Sequence, residues 1–357
     1  MRGRFRRAWV EVDLDAVVAN ARTAARVAGT RLLPMVKANA YGLGAVAVCG
    51  ALESVDPWGY GVATVEEGAE LRGAGITRPV VVFMPAQPAL FEDFDRVRLT
   101  PVLGDAAAIA EWTARGERAF HLEIDTGMGR SGVRWDEIAS LRDVVNTPSL
   151  EGCYTQFHSA ERRDESLERQ TGRFLQAVGQ LPRRPALLHV ANSAAALLGT
   201  RYAFDLVRPG VFLYGGSVAA GLPEPRPVVS VLARVLSVRK VAAGESVSYG
   251  ALWTAATDTH VATLGIGYAD GVRPALGLSG RGVVLLGGAR RPVIGTVTMD
   301  LAMVEIGDAP VKVGDVATLL GEADGNRITL EEYASAGGAQ LRESLTSLGP
   351  RLPRVYD

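Results

Sequence analysis

The segment Leu32-Leu33-Pro34-Met35-Val36-Lys37 is the first of eight short apolar runs, and this set of runs decides the fold. The other seven runs occupy residues 58–63, 80–84, 99–103, 120–125, 152–157, 187–191 and 206–211. Segments with helical propensity and period lie between them, such as residues 65–72 and 105–112. Eight strand-helix alternations predict a closed parallel (β/α)8 TIM barrel in an α/β protein. An open doubly wound sheet is the structural alternative.

A second domain is predicted after the proline-rich segment at residues 223–227. The runs that follow, at residues 228–241, 260–266 and 283–294, are rich in β-branched residues and punctuated by glycine. Gly287-Gly288 marks a hairpin turn, and two short helices are expected near residues 329–336 and 340–348. We therefore predict a barrel at residues 12–225 and a mainly β domain at residues 226–357, which an N-terminal strand at residues 8–12 joins.

The composition excludes several classes of function. The 357 residues are 48% hydrophobic and 22% charged, with a formal net charge of −1, so no global field attracts nucleic acid or an anionic membrane. No run has the length of a membrane span, and no signal-peptide apolar region follows the first residues, which predicts a cytoplasmic protein. We interpret Arg2, Arg4, Arg6 and Arg7 as a solvated tail. Cys49 and Cys153 lack metal-ligand spacing and are interpreted as buried thiols.

Lys37 is the first candidate for a reactive residue. The chain contains only three lysines among 38 basic residues, so arginine meets nearly every need for positive charge. A primary amine that loses its proton and attacks a carbonyl is the clearest need that guanidinium does not meet. The alternative is a structural lysine whose stem covers the end of a buried strand.

Polar residues follow the carboxyl ends of several predicted strands, which is where βα barrels build their active sites. They are Lys37, Glu123, Asp125, Gln156, His158, His189, Asn192, Ser193, Arg208 and Gly210. Asn192-Ser193 has the pattern of a helix N-cap, and Gly210 permits close approach of the backbone after the last strand. Together they predict the phosphate pocket that barrels often form at their last two strands. A phosphorylated cofactor is therefore expected.

A phosphate pocket opposite an imine-forming lysine points to pyridoxal phosphate. Several motifs, in order along nearly the whole chain, then resemble bacterial alanine racemase, of pyridoxal-phosphate fold type III. These motifs are Val36-Lys37-Ala38-Asn39-Ala40-Tyr41-Gly42, Asp125-Thr126-Gly127-Met128-Gly129-Arg130, His189-Val190-Ala191-Asn192-Ser193, Arg208-Pro209-Gly210, Gly267-Tyr268-Ala269-Asp270-Gly271 and Met299-Asp300.

The resemblance implies interconversion of L-alanine and D-alanine, with D-alanine supplied for peptidoglycan precursors. Lys37 would hold the cofactor and act as a base on one face of the substrate Cα. Tyr249, from the second subunit of a head-to-tail homodimer, would be the base on the other face. Lysine and tyrosine have reference pKa values of about 10, so the site must favour their basic forms.

The resemblance also assigns the binding residues. Tyr41, Ser193 and the backbone at Gly210 and Val211 would hold the phosphate, next to Asn192, while Arg208 would face the pyridine nitrogen and keep it unprotonated. That arrangement would restrain side reactions such as transamination. Arg130 and the partner's Met299 would contact substrate carboxylate or cofactor, and Asp300 and Tyr268 would line the mouth of the site.

Four positions depart from the family pattern. Glu123 stands where many alanine racemases carry a carbamylated lysine, and its place in the period of its strand predicts that it points into the barrel. Our hypothesis is that Glu123 supplies the missing negative charge and orients Arg130. Gln156 replaces a histidine against the cofactor ring, Pro350 replaces a phosphate-contacting tyrosine, and Thr298 replaces a cysteine.

Three alternatives compete with an alanine racemase. A racemase of broader specificity, acting on serine or larger amino acids, is the nearest. A pyridoxal-phosphate-binding protein without turnover is another, although such a protein needs no base on the second face. Asp125 with His158 suggests a metallohydrolase, but a chain with four histidines and no His-x-His pair has too few ligands, so no metal is expected.

Overall fold

The structure, a computed structural model, describes residues 6–162 and 164–357, so Arg2 and Arg4 of the predicted tail lie outside the described residues. It begins with strand β1 (Ala8–Val12), which leads into a parallel barrel and then into a β domain. Within these residues, no helix combines the length and the apolar character needed to cross a membrane.

The parallel strands of the barrel follow the eight predicted apolar runs. They are β2 (Arg31–Leu32), β3 (Tyr60–Val62), β4 (Val80–Pro85), β5 (Thr100–Leu103), β6 (Phe120–Asp125) with the short β7 (Val133–Arg134) beside it, β8 (Leu150–Tyr154), β9 (Leu187–His189) and β10 (Leu206–Val207). β3 to β9 form one parallel ladder and β10 pairs with β2. A bridge between Met35 and Gly61 and a 2.8 Å hydrogen bond from Arg208 N to Ala191 O complete the ring. The predicted barrel is confirmed, and the open sheet is excluded.

Helices connect most of the strands. They are α1 (Leu14–Ala28), α2 (Lys37–Tyr41), α3 (Ala45–Leu52), α4 (Val65–Gly73), α5 (Phe91–Arg96), α6 (Ala106–Ala114), α7 (Ser166–Gly179) and α8 (Ser193–Ala196), with 3-10 helices at Glu53–Val55, Pro88–Leu90, Ile138–Leu141, Ala160–Arg162, Thr200–Tyr202 and Val211–Tyr214. Three of these helices, α1, α4 and α6, begin after an N-cap residue in extended conformation. These caps are Asp13, Thr64 and Asp105, and the side-chain oxygen of each accepts a hydrogen bond from a backbone N–H of the first turn.

The interior of the barrel has its own small core, separate from the layer between strands and helices. Its buried members are Leu33, Val81, Val102, Tyr154, Leu187 and Leu206, with Trp58 and Phe83 partly buried against them. Side chains alternate along a strand, so the opposite faces of the same strands pack on the helices outside. The interior core fills the barrel beneath the carboxyl ends of the strands, and it leaves that rim for polar residues.

The second domain is mainly β, as predicted. Its strands are β11 (Val229–Val241), β12 (Ser246–Val247), β13 (Trp253–Thr254), β14 (Thr259–Leu264), β15 (Val283–Leu286), β16 (Ala289–Ile294), β17 (Ala302–Glu305), β18 (Val316–Ala323), β19 (Asn326–Ile328) and β20 (Arg354–Tyr356). Its helices are α9 (Ala275–Leu278), α10 (Leu330–Ala336) and α11 (Leu341–Thr346), with 3-10 turns at Tyr249–Ala251 and Tyr268–Asp270. The order β11-β14-β17-β16-β15-β18 closes on β11, which makes a small barrel.

The predicted hairpin at Gly287-Gly288 is present between β15 and β16. Leu286 pairs directly with Ala289, so the loop contains only the two glycines. Their φ values are +59° and +74°. A two-residue loop that follows the twist of the strands needs positive φ at both positions, and glycine adopts it without steric cost.

The N-terminal strand lies in the sheet of the second domain. β1 pairs antiparallel with β11, where Val10 faces Val231, and parallel with β20. Val10 and Val12 are fully buried. The first strand of the chain is thus held between two strands that lie more than two hundred residues later, and it ties the barrel to the β domain.

Arg7 corrects our interpretation of the N-terminal arginines, because it is not a solvated tail residue. Its guanidinium donates to both carboxylate oxygens of Asp270, at 2.8 and 2.6 Å, and the Asp270 side chain has no exposed surface. Arg351 lies 3.3 Å from the same carboxylate and 2.7 Å from Asp300. Burial opposes ionisation of Asp270, but the hydrogen bonds from Arg7 and Gly267 N and the charges of both arginines lower its pKa.

Replacing Arg7 with alanine is expected to lower the free energy of unfolding by about 2–3 kcal/mol, because a buried carboxylate loses its bidentate partner. The lowered pKa of Asp270 stabilises the fold above its unfolded-state pKa, and this contribution is lost as pH falls through the folded-state value. The loss of unfolding free energy in the variant should therefore be largest at neutral pH and become smaller in acid. Denaturant unfolding at both pH values measures it, with Arg6→Ala as the matched control on the exposed neighbour. Equal loss in the two variants would contradict the prediction.

Candidate active site

The barrel brings the predicted site residues of the first domain together at the carboxyl ends of its strands. Lys37 begins α2 after the β2 segment, Glu123 lies in β6, and Gln156 follows β8. Asn192 and Ser193 follow β9, while Arg208, Gly210 and Val211 follow β10. Strands of one parallel barrel end at the same rim, so residues that are up to 174 positions apart in the sequence, from Lys37 to Val211, share one surface.

Lys37 is positioned by a turn of left-handed backbone. The four residues after it, Ala38 to Tyr41, have φ between +52° and +55°. Non-glycine residues pay about 1–2 kcal/mol each for this conformation, so the surrounding structure must impose it. The Glu67 carboxylate accepts from Ala38 N at 2.7 Å and from Ala63 N at 2.7 Å, and the Asn39 side chain accepts from Ala45 N at 2.7 Å. These bonds fix the backbone from which the Lys37 side chain projects.

The surroundings of Lys37 favour its neutral amine. Burial lowers the pKa of Lys37, and the charges of Arg130, Arg208 and Arg342 lower it further, while Glu67 opposes them. A lysine acts as a nucleophile or as a base only without its proton. The site therefore favours the deprotonated primary amine that a reactive Lys37 needs.

The phosphate cradle lies between the ends of β9 and β10. Asn192 caps α8 by accepting from Ala194 N and Ala195 N, and the Ser193 hydroxyl accepts from Gly210 N at 2.8 Å. A side chain at Gly210 would place its Cβ 2.3 Å from the Tyr41 hydroxyl, so only glycine fits there. The Tyr41 ring packs on Tyr214, with 4.8 Å between the ring centroids. Hydroxyls and backbone N–H groups around a gap left by glycine are donors that fit a phosphate.

Arg208 is the most completely buried cation of the rim, with 3% of its surface exposed. It donates to the backbone oxygen of Thr155 at 2.9 Å and to Gln156 Oε1 at 3.2 Å, and its Nη1 lies 2.9 Å from His189 Nδ1. Burial lowers the pKa of Arg208 to about 10, against the opposing effect of Tyr154 and Glu123. A fixed donor that stays protonated at neutral pH fits the unprotonated ring nitrogen of pyridoxal phosphate.

Glu123 points into the barrel, as its strand period predicted, and only 4% of it is exposed. Its Oε1 lies 4.0 Å from Arg130 Nη2, at the limit of an ion pair, and Arg130 itself is exposed. Burial raises the pKa of Glu123, while the charges of Arg130 and Arg208 lower it. The carboxylate thus lies between two arginines of the site, one buried and one at its mouth.

The predicted site residues of the second domain lie on its surface. Tyr249 is 74% exposed and Met299 is 52% exposed, and both Tyr268 and Asp300 are also exposed. In the described part of the chain, no hydrogen bond or ion pair joins the side chain of Tyr249 or Met299 to the cluster around Lys37. A single chain therefore holds two sets of predicted site residues, one at the barrel rim and one on an open face of the β domain.

Sequence reasoning missed several residues of the site. Glu67 fixes the left-handed turn, Tyr214 donates to Met35 O at 2.9 Å and packs on Tyr41, and Arg342 of α11 contributes to the field at Lys37. Glu67 had a weak signal as an acidic residue in the first turn of a helix. Tyr214 and Arg342 had none, because their contacts join elements that are distant in sequence.

Models of two protein families match the chain. "Alanine racemase, N-terminal domain" matches residues 12–218, and "Alanine racemase, C-terminal domain" matches residues 228–356. The alanine racemase of Carboxydothermus hydrogenoformans is 37% identical over 369 aligned positions, which cover 99% of this chain and 100% of that protein.

Solved structures of similar proteins cover the same length. Alanine racemase from Bartonella henselae with covalently bound pyridoxal phosphate superposes with a TM-score of 0.91 at 29% identity, covering 99% of this chain and 100% of that one. Histidine racemase from Leuconostoc mesenteroides superposes with a TM-score of 0.90 at 25% identity, covering 99% of each chain. Both domains are therefore shared with racemases over their full extent.

Proposed function

The chain belongs to the alanine racemase family and interconverts L-alanine and D-alanine with pyridoxal phosphate, and we propose that Lys37 and Tyr249 are its two bases. The observation that supports these roles most is the environment of Lys37. Lys37 is half-buried, its pKa is lowered by this burial and by three arginines, and it shares the barrel rim with the phosphate cradle.

Different residues at the rim would bind different parts of the cofactor. Tyr41, Ser193 and the backbone at Gly210 and Val211 would hold the phosphate, with Asn192 stabilising that turn as a helix cap. Arg208 would donate to the ring nitrogen, and Gln156 would lie beside the ring through its bond to Arg208. When bound, pyridoxal phosphate stabilises negative charge on the substrate Cα.

Racemisation needs a proton acceptor on one face of Cα and a donor on the other. Lys37 takes the first role from the barrel rim. Tyr249 takes the second from the open face of a partner's β domain, since 74% of it is exposed and, among the described residues of one chain, no hydrogen bond or ion pair brings its side chain to Lys37. A head-to-tail homodimer with two shared sites satisfies both requirements at once, because each chain offers one rim and one β-domain face.

The remaining site residues bind the substrate. Arg130 would contact the substrate carboxylate from the rim, and the partner's Met299 would contact it across the interface. Tyr268 and Asp300 line the mouth, where Arg351 holds the Asp300 carboxylate at 2.7 Å. An exposed cation above a buried site attracts the anionic end of an amino acid and orients it.

The division into domains and the place of action are also proposals. The barrel ends near residue 225, and the β domain, with the strand at residues 8–12, forms the rest. Both cysteines are free and buried, which suits a reducing compartment, and we place the enzyme in the cytoplasm as a source of D-alanine for peptidoglycan precursors.

Proton NMR of the holoenzyme with L-alanine in D₂O, together with a chiral assay of the same sample, tests the proposed function. We expect loss of the Cα proton signal and accumulation of D-alanine to an equal mixture. Exchange without D-alanine would mean that only one face has a base. No exchange and no D-alanine would favour a binding protein without turnover.

A broader amino-acid racemase remains the second candidate, and the departures at Gln156 and Pro350 favour it. Gln156 places an amide where the family pattern has an aromatic ring, and Pro350 is exposed where the pattern has a tyrosine. Smaller or shorter groups at both positions leave room for a larger substrate side chain. The same chiral assay with serine and histidine separates the two candidates, and alanine should give the highest kcat/KM.

Glu123 is expected to make the enzyme independent of carbon dioxide. Its carboxylate is part of the protein, whereas a carbamate forms from lysine and carbon dioxide. Glu123→Ala should lower kcat/KM by about 10²-fold, since a misplaced Arg130 no longer aligns the substrate. Activity measured with and without added bicarbonate checks the first statement, and the variant checks the second.

Two outcomes would count against this role for Glu123. One is full activity in Glu123→Ala. The other is a response of the unmodified enzyme to bicarbonate. Glu123→Lys is the informative companion variant, because it restores the lysine of the family pattern and should make activity depend on bicarbonate. Glu137→Ala, on an exposed carboxylate of the barrel domain, is the control.

A further inference from the structure

A line of hydrogen-bonded side chains runs through the barrel from Arg208 to the opposite rim. Arg208 Nη1 lies 2.9 Å from His189 Nδ1, and His189 Nε2 lies 2.8 Å from His121 Nδ1. His121 Nε2 then lies 3.2 Å from the carboxylate of Glu151. Both histidines have no exposed surface, while the Glu151 side chain is 35% exposed. His189 ends β9, whereas His121 and Glu151 lie near the starts of β6 and β8, so the line follows the barrel axis.

The two ends of this line fix the position of every proton in it. Guanidinium only donates, so His189 Nδ1 must be the acceptor and its proton sits on Nε2. That N–H donates to His121 Nδ1, which places the His121 proton on Nε2. An ionised carboxylate only accepts, so Glu151 receives this last N–H. Burial and the charge of Arg208 lower the pKa of His189 well below its usual value, which agrees with a neutral ring.

The fold makes room for this line and keeps water away from it. A Cβ at Gly152 would lie 2.7 Å from the His121 ring, so the glycine next to Glu151 provides the space for that imidazole. Tyr154 stacks on His189 at 5.2 Å, with 6° between the ring planes, and Trp58 packs against His121 at 5.8 Å. In such a dry interior, successive hydrogen bonds polarise one another.

We propose that Glu151 is a positioning residue that acts through His121 and His189 to fix the direction of Arg208. The inference rests on the proposed role of Arg208 at the ring nitrogen. Without the carboxylate, water would meet His121, and water both donates and accepts. The reversed line then becomes accessible, in which His189 carries its proton on Nδ1. Its Nδ1–H would then point at the guanidinium, which cannot accept a hydrogen bond. Glu151 excludes that second state, so Arg208 keeps a single orientation.

Nitrogen-15 NMR of histidine-labelled holoenzyme tests the line directly. The chain has only four histidines, so the imidazole signals are readily assigned. We expect both His189 and His121 to carry their proton on Nε2. In Glu151→Ala the His189 Nδ1 signal should shift towards the protonated position or broaden by exchange. Glu151→Gln keeps an acceptor oxygen and should retain most of the original signal, and Glu117→Ala, on an exposed carboxylate near the start of β6, should leave it unchanged.

The catalytic readout uses the same variants. We expect Glu151→Ala to lower kcat by about 10-fold with little change in KM, because a misdirected Arg208 weakens alignment for the reaction without removing a substrate contact. It should also shift the absorption maximum of the bound cofactor. Transamination, in which the amino group of alanine passes to the cofactor and pyruvate is released, should become more frequent per racemisation event. Glu151→Gln should recover most of each property. A kcat that falls with unchanged histidine signals, or a Gln variant that matches the Ala variant in both readouts, would overturn the proposal.

Gly152→Ala provides a second variant that leaves the carboxylate in place. Its added methyl group displaces the His121 ring, so it should reproduce the NMR shift and the loss of kcat found for Glu151→Ala. Unchanged spectra and rates would overturn the proposal. These spectra report the line even if alanine is not racemised, so failure of the line and failure of the proposed function are distinguishable.

Discussion

Replacing Lys37 with alanine is expected to abolish racemisation, with a loss of about 10⁴-fold or more, since one side chain supplies both the covalent link to the cofactor and a base. Lys37→Arg should fail equally, because guanidinium keeps its proton in the site. The chiral assay measures the loss. The lowered pKa of Lys37 increases its neutral fraction at a given pH. We therefore also expect the rising limb of the pH–rate profile to lie at a lower pH than the ordinary pKa of lysine.

The other two lysines provide matched controls. Lys312 is exposed, and Lys240 forms a surface ion pair with Asp258 at 2.8 Å. Lys312→Ala and Lys240→Ala should racemise alanine at the normal rate. Reduction of the holoenzyme with borohydride, followed by peptide mass analysis, should place the cofactor on the Lys37 peptide. Cofactor attached to either control lysine, or an active Lys37→Ala enzyme, would rule out the assignment.

Tyr249→Phe is expected to lower racemisation by about 10²–10⁴-fold, the range for loss of a general acid or base. The variant keeps the ring and removes only the hydroxyl, so packing at the surface should not change. If Lys37 still serves the other face, one enantiomer of alanine should continue to exchange its Cα proton with D₂O while the other stops. The separate exchange rates of the two enantiomers measure this, and equal slowing of both would contradict a two-face arrangement. Tyr356→Phe, on β20 of the same domain, is the control.

Mixing the two inactive variants tests whether a site is shared between subunits. A dimer of one Lys37→Ala chain and one Tyr249→Phe chain has one site with both bases intact and one site with neither. After random exchange of subunits, activity should return to roughly a quarter of normal, because half of the dimers are mixed and each has one good site. If both bases came from a single chain, mixing would restore nothing.

The sequence determined the architecture, because local patterns carry that information. The eight apolar runs coincide with the eight barrel strands, and Gly287-Gly288 forms the two-residue hairpin. Boundaries were less accurate, since β8 spans Leu150–Tyr154 rather than residues 152–157, and residues 126–149 contain the 3-10 helix Ile138–Leu141 rather than an α-helix. Period and turn chemistry act over a few residues, so they locate elements better than they locate their ends.

The rim of the barrel was also predictable, because parallel strands that close into a barrel present their carboxyl ends together. Lys37, Ser193 and Arg208 could be placed on one surface from their positions after apolar runs alone. The inward direction of Glu123 followed from the period of its strand.

Only the tertiary structure decided how these groups are held. The bond from Arg7 to Asp270 joins residues 263 positions apart, and it turns an apparent tail into a buried ion pair. The left-handed turn after Lys37 contains no glycine in its four residues, so local preference argues against it, and Glu67 imposes it from another element. The four side chains of the line from Arg208 to Glu151 each lie in, or directly after, a different strand of the barrel. Local propensity acts between neighbours in sequence, whereas hydrogen bonds, burial and charge act between neighbours in space, and only the folded chain determines which those are.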